Sequence, residues 1–217
     1  MTDFDRARRH MVDGQVRIAG VTDLAVIEAM LSVPREIFVG EANRAIAYLD
    51  LQLNVTPQRR LMTPMTVGRL LQAAQLGAGR SVLIVGCATG YTAALAAHIG
   101  AEVVATESDS ALAAQARANL GRAGLVGPTI AEALPLAGVP SRAPFDVILL
   151  DGATEVEPTA LYEQLRIDGE LVGVFMLSAQ PQARKVTKSA EGIGYRPLFD
   201  ASAPVLPGLE RVPSFQF

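Results

Sequence analysis

The feature that most constrains this chain is the run Ser81-Val-Leu-Ile-Val-Gly86, followed at once by the small-residue turn Cys87-Ala-Thr-Gly90. Four successive apolar residues without polar alternation suit a strand covered on both faces, the situation inside a parallel sheet flanked by helices. The pattern that follows agrees. A helix is expected over 91–99, a strand over 102–107, and an alanine-rich helix over 109–120 capped by Ser108 or Asp109. Next come a weak strand at 128–131, a strong one at 145–151, a helix near 158–165 and a strand at 170–176. Strands alternating with helices predict an α/β domain with a mostly parallel sheet.

The first 80 residues read differently, as a helical and loop-rich lead-in. Phe4, Met11, Val12 and Val16 fall at helical spacing. Thr22 is expected to cap a second helix carrying Val26, Ile27 and Met30, which Pro34 closes. The stretch 44–55 lacks helical signals and is expected to run extended. Thr63-Pro64 opens a third helix, since a threonine cap followed by proline suits the unpaired amides of the first turn. The chain is therefore expected to be one domain over 1–217: the extension at 1–80, the α/β core at 81–178, and two extended segments with a Pro-rich tail, including Pro204, Pro207 and Pro213, at 179–217.

Composition narrows the function classes. A net charge of −3 over 217 residues gives no reason to expect a nucleic acid partner. The longest nearly uncharged apolar stretches are far short of the roughly 20 residues that span a bilayer, so no membrane partner is expected. The single cysteine, Cys87, excludes a disulfide framework and any multi-cysteine metal site. The first 20 residues lack an apolar signal core, and a cytoplasmic protein is expected. His10 and His98 have no partner cluster and read as ordinary helix residues.

The chemistry concentrates where the first strand meets its helix. In open parallel sheets ligands bind at the carboxyl ends of the strands, and small residues there allow close backbone approach beside free helix amides. Gly86, Cys87, Ala88, Thr89 and Gly90 make that turn, with Tyr91 opening the helix. Glu107 stands 21 residues after Gly86 at the end of the second strand, with Ser108 beside it; an acid there accepts hydrogen bonds from ribose hydroxyls. A nucleoside cofactor is expected. The spacing is not the G-x-G-x-x-G of a dinucleotide site, and this closer glycine pair resembles turns that hold S-adenosyl-L-methionine. Asp151 ends the strand at 145–151 on the same side, in reach of cofactor or acceptor.

Several segments carry a more specific resemblance. Met11-Val-Asp-Gly-Gln15, Val33-Pro-Arg-Glu-Ile-Phe-Val39, Ala47-Tyr-Leu-Asp50, Val82-Leu-Ile-Val-Gly-Cys-Ala-Thr-Gly-Tyr91, Ala143-Pro-Phe-Asp146 and Gln164-Leu165 through Gly169 together resemble the protein-L-isoaspartate O-methyltransferases. The match runs over residues 5–178, and its N-terminal part is specific to that family. The resemblance implies a class I S-adenosylmethionine-dependent methyltransferase fold, a Rossmann-like sheet of seven strands. It implies S-adenosyl-L-methionine as donor and a protein or peptide substrate whose isoaspartyl carboxylate is methylated to begin repair. It further implies that Gly86, Ala88 and Gly90 line the cofactor, Glu107 holds its ribose, and Glu132, followed by Ala133, meets the adenine.

Departures from the family pattern fall at the site itself. Ile84 stands where the family's first strand carries an acid, and Ala88 replaces the turn's middle glycine. The family's acceptor loop, Gly-Gln-Thr-Ile-Ser-Gln-Pro, reads Gln58-Arg-Arg-Leu-Met-Thr-Pro64 here. Met62 takes the place of the hydroxyl residue that faces the acceptor, with Arg60 and Thr63 beside it. A bulky Met62 is expected to crowd the acceptor, and Arg59 or Arg60 to grip its carboxylate or else lie solvated beside the site. Two further readings follow from these changes: a different carboxylate acceptor, or a descendant that binds adenosyl ligands or a partner and transfers nothing.

Overall fold

The computed structural model describes residues 3–212; Pro213 and the rest of the tail lie outside them. Its centre is a seven-stranded sheet in the order β5-β4-β3-β6-β7-β8-β9. The five parallel strands are β3 (Ser81–Val85), β4 (Glu102–Glu107), β5 (Thr129–Glu132), β6 (Phe145–Thr154) and β7 (Leu165–Phe175). The antiparallel pair β8 (Gln182–Ser189) and β9 (Gly192–Asp200) extends the sheet beyond β7. The apolar run 82–85 is wholly buried, as two-sided coverage requires. Strand order reverses between β3 and β6, which creates a crevice at the carboxyl ends of those two strands.

Helices α4 (Tyr91–His98) and α5 (Ser110–Arg122) link the parallel strands, and Asp109 caps α5 by accepting from the amides of Ala111 and Leu112. A short α6 (Thr159–Glu163) precedes β7. No helix among the described residues is long and apolar enough to cross a membrane.

The lead-in holds α1 (Asp3–Met11), α2 (Leu24–Ser32) and α3 (Pro64–Ala74), with a two-strand ribbon of β1 (Leu53–Asn54) and β2 (Arg60–Leu61). Two local expectations change. Asp23, not Thr22, caps α2, because its carboxylate accepts from Ala25 and Val26 while the Thr22 amide donates to Gln72. The stretch 44–55 is not extended throughout: Glu41–Ile46 winds into a 3₁₀ turn and only Leu53–Asn54 pairs as strand. Thr63 caps α3 as expected, accepting from the amide of Thr66.

Arg35 fastens this segment to the sheet. It is fully buried, donates from Nε to the carbonyl of Ala47 at 2.9 Å and from Nη2 to that of Met62 at 2.8 Å, and stacks 4.6 Å over the Tyr91 ring. Those bonds join three stretches of chain that local sequence leaves unconnected. Replacing Arg35 by alanine strands two buried carbonyls and opens a cavity, so Arg35→Ala is expected to lower the unfolding free energy by about 2–4 kcal/mol in a denaturant titration.

Candidate active site

The crevice at the switch point is built from the turn after β3, the end of β4 and the end of β6. Gly86 has φ +73° and Gly90 φ +94°, and Ala88 between them also takes a left-handed φ of +48°. Ala88 thus keeps the backbone that a glycine adopts freely, at the steric cost an L side chain bears there. The turn is bound on both sides. The Cys87 amide donates to Thr106 O at 2.8 Å, Thr89 Oγ1 donates to Phe38 O at 2.6 Å, and Asn119 donates to Thr89 O at 3.0 Å.

Glu107 is the charged centre of the crevice, only 1% exposed. Its Oε2 accepts from the Ala88 amide at 2.8 Å, and its Oε1 from the amides of Ser108 at 2.9 Å and Asp109 at 3.2 Å. Two side chains complete the set: Ser108 Oγ donates to Oε1 at 3.4 Å, and Arg59 Nη2 lies 2.9 Å from Oε2 and 2.8 Å from Gly86 O. Arg59 is itself buried. Its placement corrects both expectations for this residue: it neither lies in solvent nor faces an acceptor.

Beside it, the tail folds back over the turn. Leu206 is fully buried, and its Cδ2 lies 2.5 Å from where a Cβ on Gly86 would stand and 2.7 Å from the equivalent point on Gly152. These two glycines do allow close approach, but the approaching group is the chain's own leucine.

In this arrangement the cradle does not fit a nucleoside cofactor. Its acid has all its acceptor sites engaged by protein donors, its glycine faces meet Leu206, and Cys87, Ala88, Thr89 and Tyr91 are all buried.

The other expected residues are distributed as follows. Glu132 pairs with Glu107 in the β4–β5 register and is half-exposed, its carboxylate 3.1 Å from Arg117; Ala133 donates its amide to Glu107 O. The acceptor loop departs from expectation. Met62 is buried in the main core with its carbonyl held by Arg35, so its thioether packs instead of crowding an acceptor. Arg60 is exposed on β2 and donates from Nε to Asn54 at 2.8 Å. Thr63 is engaged as the α3 cap.

Asp151 sits deep in the crevice. Its Oδ1 accepts from Thr92 Oγ1 at 2.7 Å, and its Oδ2 has no hydrogen-bond partner among the described residues. Burial pushes its carboxyl up to about 6, against the opposing effects of Thr92, Arg59 and Arg35. Burial and the carboxylates of Glu107 and Asp151 push the Cys87 thiol up as well, so it packs as a neutral thiol. Among the described residues no group of three or more His, Cys, Asp or Glu side chains could hold a metal ion.

Sequence comparison decides the family. The profile of the protein-L-isoaspartate(D-aspartate) O-methyltransferases matches residues 6–196. The chain belongs to this family. It is 36% identical over 192 residues to the protein-L-isoaspartate O-methyltransferase of Koribacter versatilis, covering 88% of this chain and 86% of that one. Its identity to the Methylorubrum extorquens enzyme of the same name is 40% over 171 residues, covering 78% and 74%.

Two solved structures share the fold. A protein-L-isoaspartate O-methyltransferase superposes with a TM-score of 0.81 at 22% identity, covering 93% of this chain and 66% of that one. A β-aspartate methyltransferase from Plasmodium falciparum, solved with S-adenosyl-L-homocysteine, gives 0.80 at 18% identity, covering 95% and 99%. The expected fold class, a seven-stranded methyltransferase sheet, is the one found.

Sequence reasoning missed one participant in the crevice, Leu206, and one pairing, that of Arg59 with Glu107. Arg59 was legible as a cation near the site, but no local signal pairs it with a residue 48 positions away. Leu206 carried no signal at all, being one apolar residue in a Pro-rich tail.

Two stability measurements check the local physics. Ala88→Gly is expected to raise the unfolding free energy by about 0.5–1.5 kcal/mol in urea, because it removes the left-handed strain without altering the turn. Asp151 holds its proton more firmly folded than unfolded, so its stabilising contribution is complete below the ordinary value of 3.8 and declines as pH rises through about 6. Asp151→Asn is accordingly expected to raise stability by about 1–3 kcal/mol at pH 7.5, with the gain vanishing near pH 4 in parallel melts.

Proposed function

We propose that this chain is an S-adenosyl-L-methionine-dependent carboxyl methyltransferase of proteins, acting on L-isoaspartyl groups in the cytoplasm. One observation carries the reading. The family match spans residues 6–196, from α1 through the β3 turn into β9, so the family-specific lead-in and the cofactor-type crevice occur together. Glu107 at the end of β4 and the reversal of strand order at β3 and β6 support it.

The acceptor chemistry suits a site without a dedicated base. A carboxylate is ionised at neutral pH, with an ordinary pKa of about 3.3–3.9, so it needs positioning and desolvation and no deprotonation. Loss of the family's acceptor hydroxyl at position 62 therefore removes one hydrogen bond, worth on the order of 1–3 kcal/mol, and not a proton-transfer group. A second reading, a descendant that transfers nothing, is favoured by the pairing of Glu107 with Arg59.

Turnover separates the two. With labelled S-adenosyl-L-methionine, base-labile label is expected on an isoaspartyl peptide and not on its aspartyl twin. Absence of label on both, at protein concentrations approaching that of the peptide, favours the second reading.

A further inference from the structure

The crevice is filled by two groups, one from the lead-in and one from the tail, and both fill it with matched chemistry. Arg59 comes from the turn that joins β1 to β2, and Leu206 from the strap that follows β9. A ribose presents O–H donors to the acid at the end of β4; Arg59 presents an N–H donor to that same carboxylate, at 2.9 Å. Glycines at a strand–helix turn admit an apolar or ring-shaped ligand; Leu206 takes up the faces of Gly86 and Gly152.

The strap is held in register for this. Pro204 O accepts from the Ala153 amide at 2.7 Å, Leu206 N donates to Ala153 O at 2.9 Å, and Leu209 O accepts from Glu155 N at 2.8 Å.

We propose that Arg59 and Leu206 form an internal occupant of the nucleoside cradle, and that the methyl donor binds only when Arg59 leaves Glu107 and the strap 203–209 lifts. The inference rests on the donor reading above and adds to it a closed state that competes with the donor.

Two features make the closed state one that can open. The guanidinium is incompletely satisfied, because its buried Nε has no hydrogen-bond partner among the described residues. A buried ion pair with an unsatisfied group contributes little net stability, since desolvation offsets much of its Coulombic attraction. The strap, for its part, joins the sheet through one isolated bridge, Ala153 to Val205, and not through a full strand. Glu107 retains three backbone donors when Arg59 withdraws, so its charge is not abandoned. A ligand that needs a minor open form binds with an apparent affinity reduced by the population of that form.

Calorimetric titration with S-adenosyl-L-homocysteine tests this on the wild-type chain, Arg59→Gln and Leu206→Ala, each shown to be folded by circular dichroism and a cooperative melt. Arg59→Gln removes both the charge and the Nη2 donor while keeping a polar side chain, and serves where Leu206→Ala does not fold. Either variant is expected to bind at least about tenfold more tightly than the wild type, since each destabilises only the closed form. Equal and measurable affinity in all folded proteins overturns the internal occupant and leaves the donor reading intact. No binding by any folded variant overturns both, because emptying the cradle then exposes no donor site.

Discussion

A carboxylate buried to 1% exposure cannot be left unpaired, and much of this structure is organised around satisfying Glu107. Its two oxygens collect amides from the β3 turn and from the first residues after β4, and a guanidinium from the β1–β2 turn. Three separate stretches are thereby brought to one point at the carboxyl end of the sheet. The left-handed backbone at Ala88 belongs to the same requirement, because the Ala88 amide is one of the donors. Each contact is ordinary in strength. Together they convert what the sequence offers as a ligand-binding acid into the centre of a closed network.

The lead-in that most specifically marks the family acts here as a clamp on that end of the sheet. Phe38 accepts from Thr89 through its carbonyl and packs its ring 5.7 Å from that of Tyr91. Arg35 also stacks on this tyrosine while bonding the backbone of Ala47 and Met62. Arg8 reaches Tyr48, whose hydroxyl donates to Glu36, and so ties α1 to the same layer. The segment therefore packs on α4 and the β3 turn through buried cations and aromatic rings.

The tail supplies the opposite wall. Because Gly86 and Gly152 have no side chains, the strap can lay Leu206 directly on the backbone of β3 and β6. In the proposed opening the strap 203–209 carries the buried Leu206 and Leu209 away from β6, while the sheet itself is unchanged. Glu132 lies outside this network, half-exposed and paired with Arg117. The crevice thus has a sealed side at Glu107 and an accessible edge at Glu132.

What the sequence determined by itself was the periodic part. The strands at 81–85 and 102–107, the cap at Thr63 and the alternation of strand and helix all follow from local hydrophobic pattern and cap chemistry, which act over a few residues. The Gly86–Gly90 turn and Glu107 were legible for the same reason, because strand ends in a parallel sheet place them side by side. The tertiary structure alone decided who occupies that place. The Arg59–Glu107 bond spans 48 residues, and Leu206 meets Gly86 across 120 positions of sequence. It also decided that Met62 faces the core while Arg60, two residues earlier, faces solvent. Pattern reports which groups are polar or apolar, but only packing in three dimensions settles which donor reaches a buried charge first.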